Sequence, residues 1–310
     1  MMDPVRFAGI ALGLGAAVLQ ALSYVVSAAY VRGSGAPAWT LVPRAFAAMF
    51  PAGVLLCAAT LPFASAPVPW LAAAWPALGS TAFCLAANFA TYMMLRRVDA
   101  SKTSPLLGLK VPMLAAFYAF VLGRPCTPLQ WVAVGLVVVA AFAMAGTGRR
   151  LGASGWAWLL AVCACFSLAD WFIALVLDAV APAFPAVAAR SLFALGFIYV
   201  VTGLAAAAAL RFVPPCAPGS FRRWVAPYAA VWFAAMVLLY ACFATCGVVL
   251  GNIVQNLRGL VSVFFGWLLA RSGRVDLEER LPPAVLAGRV LAAAAMFAAI
   301  ALFAAGGTVK

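Results

Sequence analysis

Residues 103–122 read TSPLLGLKVPMLAAFYAFVL, an apolar run that carries a single charge, at Lys110. Its length matches the roughly 20 residues that a transmembrane α-helix needs to cross the hydrocarbon core of a bilayer. Hydrophobic residues make up 67% of the whole chain and charged residues only 9%, which is more apolar surface than a soluble domain can bury. The sequence therefore predicts an all-α polytopic membrane protein in which this run is one span.

Similar apolar runs lie on both sides of this one, and short segments rich in Gly, Pro and Arg separate them. The runs predict ten spans, near 8–31, 40–61, 70–95, 103–122, 128–147, 153–177, 184–210, 224–246, 249–270 and 283–305. The first run is too long for the core of a signal peptide, so we expect a retained helix. No long polar segment remains for a soluble domain.

The basic residues predict how the spans are oriented. Twelve of them lie in the connections that follow odd-numbered spans, and only three lie in the termini and the other connections. Because cytoplasmic loops are enriched in Lys and Arg, we expect a multi-pass protein of the cell inner membrane with both termini outside the cytoplasm. The same distribution accounts for the net charge of +13 without nucleic acid as a partner.

Matches between the two halves of the chain predict an internal repeat. Lys110 and Arg258 each stand thirteen residues before the end of their run, and Tyr92 matches Tyr240 at the same offset. The motif Ala-Pro-Ala, an aromatic residue and then an Arg also occurs in both halves in the same order. The order of these matches favours a true repeat over chance similarity in an alanine-rich chain.

The repeat predicts the architecture of the whole chain. Residues 1–148 would form the first five-helix repeat and residues 149–310 the second, within one integral membrane domain. Because five is odd, the second copy enters the membrane upside down. The expected fold is thus a 5+5 inverted repeat around a central cavity, an arrangement typical of secondary transporters.

Three stretches around the fourth span carry a family resemblance: residues 92–104, 109–124 and 127–135. They resemble the drug/metabolite transporter superfamily, EamA type, in a tight turn before span 4, a Pro within span 4 and a Gly in span 5. The resemblance implies ten helices around a central cavity and export of amino acids or other metabolites. The chain has Arg124 where the family has Glu, and its charges predict the opposite of the family's usual orientation, in which the termini are cytoplasmic.

Charges inside the spans predict a binding site. Lys110 and Arg258 lie deep in spans 4 and 9, where a charge costs at least ~2.5–3.5 kcal/mol and normally faces water or a partner. Their matched positions would bring both cations to one central site, which suits a carboxylate or a phosphate. Asp170 is the one acid deep in a span. It could pair with either cation, bind a substrate ammonium or carry a coupling proton, and the alternative for all three is a structural ion pair.

Uncharged polar residues join this candidate site by helical spacing. The candidates are Gln20 and Ser23 in span 1, Asn88 and Tyr92 in span 3, Tyr240 in span 8 and Gln255 in span 9. Hydrogen bonding between helices is the alternative role for each of them. Arg44 and Arg190 lie near span ends, where we expect their side chains to snorkel toward water.

These features predict a secondary active transporter for a small metabolite with a carboxylate, either an amino acid or another organic anion. An organophosphate or nucleotide-sugar-like exchanger and a lipid-headgroup flippase are the alternatives, since each also needs a central cationic site. An enzyme is not expected, because the chain has no His and only one deep acid. We expect no cofactor and no metal, membrane lipid and a small-molecule substrate as partners, and a monomer or a homodimer.

Overall fold

The computed structural model describes residues 4–96, 103–104, 106–123, 126–146, 152–271 and 282–306, and all regular structure within them is helical. The α-helices are α1 (Pro4–Gly33), α2 (Leu41–Thr60), α3 (Trp70–Leu95), α4 (Lys110–Ala116), α5 (Pro128–Gly146), α6 (Ala153–Val180), α7 (Val187–Ala209), α8 (Ala226–Cys246), α9 (Val248–Gln255), α10 (Arg258–Arg271) and α11 (Pro283–Ala305).

Eight helical segments of the described ranges are long and apolar enough to cross a bilayer. Two shorter apolar segments, Leu107–Val121 and Pro128–Ala140, lie at the predicted spans 4 and 5. Large apolar side chains also cover the outer surface, where Leu71 is 89% and Phe120 is 78% exposed. Water would not tolerate such a surface, whereas lipid does. The predicted all-α, polytopic membrane class is confirmed.

Four pairs of helices make the most extensive contacts: α3 with α6, α2 with α7, α1 with α8, and α5 with α11. Glycines permit two of these close approaches. A Cβ atom on Gly9 of α1 would lie 2.2 Å from Thr245 Oγ1 of α8, and one on Gly53 of α2 would lie 2.9 Å from the Gly196 carbonyl of α7. Small residues of this kind let helix backbones approach where lipid supplies no hydrophobic driving force.

The helices that carry the two deep cations are both interrupted next to the charge. Lys110 follows a 3₁₀ turn, Leu107–Leu109, and its short α-helix continues as a π-helix, Phe117–Val121. Arg258 begins α10, after α9 has ended at Gln255. Interruptions of this kind leave backbone groups outside the regular ladder, and they are frequent where membrane helices line a binding site.

Gly247 makes the turn between α8 and α9 in a single residue. Its φ of 79° lies in the left-handed region, which side-chain-bearing residues rarely adopt. The turn reverses the chain and packs the start of α9 back against α8, where a Cβ atom on Gly251 would lie 2.4 Å from Phe243. A single glycine thus separates the predicted spans 8 and 9.

Candidate functional site

A buried ion pair lies at the centre of the helix bundle. Lys110 Nζ stands 2.6 Å from Asp170 Oδ2, and the two side chains are only 2% and 7% exposed. The ammonium also donates to Gln255 Oε1 at 3.0 Å. Of the pairings that the sequence left open for Asp170, the structure therefore shows the one with Lys110, between the fourth and sixth spans.

Gln20 connects this ion pair to the second cation. Its Oε1 accepts hydrogen bonds from Gln255 Nε2 at 2.7 Å and from Arg258 Nη1 at 2.9 Å. A continuous polar network therefore runs from Asp170 through Lys110, Gln255 and Gln20 to Arg258. Its members come from α6, α4, α9, α1 and α10, so that movement of any of these helices would disturb the network.

The Arg258 guanidinium is only partly satisfied by this network. The side chain is 2% exposed, and its Nε and Nη2 have no hydrogen-bond acceptor among the described residues. The remaining contact is with the ring of Tyr24, whose centroid is 5.8 Å from the guanidinium carbon. Buried charged donors are costly to leave unpaired. Nε and Nη2 form one edge of the guanidinium, which matches the two oxygens of a carboxylate.

A small cavity of about 30 Å³ adjoins the network. That volume holds about one water molecule. Its wall carries the network residues Gln20, Lys110, Asp170, Gln255 and Arg258, the hydroxyl residues Ser80 and Thr202, and the aromatic residues Tyr24, Phe46, Phe166, Tyr199, Trp232 and Tyr240. A molecule larger than water would fit here only if the surrounding helices moved apart.

The structure divides the sequence-predicted candidates into two groups. Lys110, Asp170, Arg258, Gln20, Gln255 and Tyr240 all line the cavity. Tyr92, Asn88 and Ser23 do not line it. Ser23 instead donates to the Gln20 carbonyl at 2.7 Å within its own helix. Tyr228 donates to Asn88 Oδ1 at 3.3 Å, and its ring lies against Tyr92 with centroids 6.5 Å apart, so these residues hold α3 against α8.

Sequence reasoning missed most of the aromatic wall. Trp232 Nε1 donates to the Tyr199 hydroxyl at 2.8 Å, and Phe46 packs against both rings. Nothing in an apolar run distinguishes such a ring from one that faces lipid. Tyr24 and Phe166 did have a usable signal, because they stand four residues from Gln20 and from Asp170 and hence share a helical face with them.

The prediction that Arg44 snorkels toward water is wrong. Its side chain is buried, and its guanidinium donates to the Tyr30 hydroxyl at 2.9 Å and to the Pro214 carbonyl at 2.7 Å. Arg190 is partly buried and donates to the Ala244 carbonyl at 3.2 Å. Both arginines therefore join helices near the membrane surface, and neither lines the central cavity.

Comparison with known proteins bears on the fold alone. No protein-family model matches the chain, and no curated protein matches it. One solved structure, described only as a crystal structure of a protein, is similar over 96% of both chains, with a TM-score of 0.59 and 18% sequence identity. At that identity the likeness establishes that the two chains share a fold over almost their full length.

Proposed function

We propose that this protein is a secondary transporter for a small organic metabolite with a single carboxylate, an amino acid or another organic anion, and that Arg258 binds the carboxylate. The observation that carries the proposal is the unsatisfied edge of the Arg258 guanidinium, buried in a central cavity. A substrate carboxylate would supply the two missing acceptors. The dry surroundings would strengthen that interaction relative to the same contact in water.

The charges around the cavity favour a monoanion. The described charged residues on its wall are Lys110, Arg258 and Asp170, which together carry a net charge of +1. Asp170 neutralises Lys110 at 2.6 Å, and Arg258 remains for the substrate. A phosphate monoester carries close to two negative charges and would need both cations. This balance favours the carboxylate over an organophosphate exchanger or a lipid-headgroup flippase, which stay as alternatives.

The helix contacts support ten spans in a 5+5 inverted repeat. Exchanging the halves turns the α3–α6 contact into the α8–α1 contact, and both are among the most extensive. The α2–α7 and α5–α11 contacts each join equivalent spans. The interruptions before Lys110 and Arg258 are equivalent as well. An inverted repeat supports transport, because its two halves can open the central site to either side of the membrane in turn.

Replacing Arg258 with Gln tests the proposal directly. The protein in detergent would be screened for thermal stabilisation by monocarboxylates, amino acids, dicarboxylates and phosphate monoesters, since a ligand at 100 times its Kd adds ~2.7 kcal/mol to stability. We expect monocarboxylates to stabilise the native protein. Arg258→Gln should weaken their binding by ~1.5–3 kcal/mol, the contribution of a hydrogen bond to a charged group.

Arg44→Gln is the matched control, because Arg44 is also a buried arginine but lies outside the cavity. It should lower stability without changing ligand affinity. Saturable, competable counterflow of the best ligand in proteoliposomes would establish transport and exclude a channel. Unchanged affinity in Arg258→Gln would overturn the carboxylate assignment, and a preference for phosphate esters would favour the alternatives.

A further inference from the structure

A second cavity, much larger than the central one, opens on the lipid-facing side of the bundle between α1, α2 and α8. Its volume is about 720 Å³. Its lining is entirely apolar and comprises Leu19, Ala48, Met49, Ala52, Phe221, Ala226, Ala229, Ala230, Phe233, Ala234, Val237 and Leu238. Six of the twelve lining residues are alanines, so the groove exists because small side chains leave room between three packed helices.

The groove runs lengthwise along α8. Its lining reaches from Phe221, just before that helix begins, to Leu238 in its second half. At ~1.5 Å per residue this is roughly 25 Å, which exceeds the depth of one leaflet of a ~30 Å hydrocarbon core. Its shape is therefore that of an extended chain lying parallel to the helices.

A pair of arginines stands at one end of the groove. Arg222 and Arg223 follow directly after the lining residue Phe221, and both are exposed. The Arg223 guanidinium lies 4.8 Å from the ring centroid of Trp224, which keeps its charge near the membrane surface. The mouth of the apolar groove is thus positively charged.

No described acid offsets this charge. The only described acidic residues are Asp170, in the central network, and Asp178, at the end of α6. The end of α6 lies beside the end of α2, since the Ser65 amide donates to the Ala183 carbonyl. The residues before α8 lie beside the start of α2, where Arg44 contacts Pro214. Asp178 is therefore at the opposite membrane surface.

We infer that this groove binds an anionic phospholipid, with an acyl chain between α1, α2 and α8 and the phosphate at Arg222 and Arg223. An acyl chain gains little free energy by moving from bulk lipid into an apolar groove. The groove therefore fits the shape of the chain, and the two arginines select the lipid by its headgroup charge. Basic residues beside a membrane helix attract anionic headgroups, at about fivefold in affinity for each residue. The inference is independent of the proposed transport function, because no residue of the central network takes part.

Native mass spectrometry of the detergent-solubilised protein, titrated with phosphatidylglycerol or phosphatidylcholine, would test the site. We expect one phosphatidylglycerol to bind roughly 30-fold more tightly than phosphatidylcholine, the product of two basic contacts. The double variant Arg222→Gln/Arg223→Gln should lose most of that preference. The double variant Arg96→Gln/Arg271→Gln removes the same charge from exposed residues outside the groove and should keep it.

Filling the groove tests the position of the acyl chain separately from the charge. Ala230→Phe/Ala234→Phe should prevent the specific binding of phosphatidylglycerol, whereas Ala58→Phe/Ala205→Phe, at exposed alanines outside the groove, should not. Monodisperse elution of all four variants would verify folding. Equal binding of the two lipids by the native protein, or an unchanged preference in the Arg222/Arg223 variant, would overturn the inference. A dimer of the native protein that the groove-filling variant dissociates would instead assign the groove to a second copy of the chain.

Discussion

At the scale of single residues, the two deep cations are equivalent in position but not in their partners. Lys110 has a carboxylate at 2.6 Å, whereas Arg258 has only the amide oxygen of Gln20 at 2.9 Å as its hydrogen-bond acceptor among the described residues. An amide leaves the guanidinium charge uncompensated. Under the proposed function, this asymmetry gives the two cations different tasks: Lys110 holds helices together, and Arg258 is available to an anion.

Asp170→Asn tests the structural half of that assignment. The substitution leaves a buried ammonium without its counter-ion, so we expect the free energy of unfolding to fall by ~3–5 kcal/mol. Lys110→Met/Asp170→Leu removes both charges and should recover most of that loss, which unfolding curves in denaturing detergent for the native protein and both variants would measure. Full stability of Asp170→Asn together with loss of uphill transport would contradict this assignment and identify Asp170 as a proton carrier.

At the scale of helices, charge was the part of the site that could be predicted from sequence. A cation deep in a span is so costly in lipid that the side chains of Lys110 and Arg258 were expected to face a cavity or a counter-ion inside the bundle. Which of the two cations pairs with Asp170 depends on which helices are in contact, and sequence spacing alone does not give helix contacts. Most of the aromatic wall could not be predicted, because a ring such as that of Trp232 can face lipid as readily as it can line a cavity.

The interruption between α9 and α10 escaped prediction for a similar reason. The run 249–270 is apolar and contains no Pro, so it reads as one continuous helix. In the structure the helix breaks at Asn256 and Leu257, and the Ser104 hydroxyl donates to the carbonyl of Arg258 at 3.3 Å. The break is thus accompanied by a tertiary contact from span 4, which the local sequence does not reveal.

Gly247→Ala tests the single-residue turn between α8 and α9. No atom lies within 4 Å of a Cβ placed there, so the only cost is the positive φ. Its φ of 79° with ψ of 160° is a backbone conformation that essentially only glycine adopts, so we expect a loss of ~1–3 kcal/mol in the free energy of unfolding. Gly135→Ala is the matched control: it also meets open space but is helical, and it should be neutral or slightly stabilising. Equal effects of the two substitutions would show that the turn does not require glycine.

At the scale of the whole molecule, charge is distributed unequally between the two membrane surfaces. The surface at the start of α2 and α8 includes the exposed residues Arg32, Arg211, Arg222 and Arg223, whereas the described charged side chains at the opposite surface are those of Arg190 and Asp178. Cytoplasmic loops of membrane proteins are enriched in Lys and Arg, so the surface with the four arginines should be cytoplasmic.

Reporter fusions test that orientation. Gly9 near the start of α1 lies beside Thr245 at the end of α8, and Phe303 near the end of α11 packs in one apolar cluster with Ile253 of α9. Because α1 therefore begins and α11 ends on the surface opposite those four arginines, a periplasmic reporter fused after the last residue of the chain should be active. The same reporter inserted into the connection 213–219, between α7 and α8, should be inactive, and a cytoplasmic reporter should give the reverse pattern at both sites. Activity of the periplasmic reporter at 213–219 but not at the end of the chain would show that the protein has the opposite orientation in the membrane. The Arg222 and Arg223 pair would then face the outer leaflet.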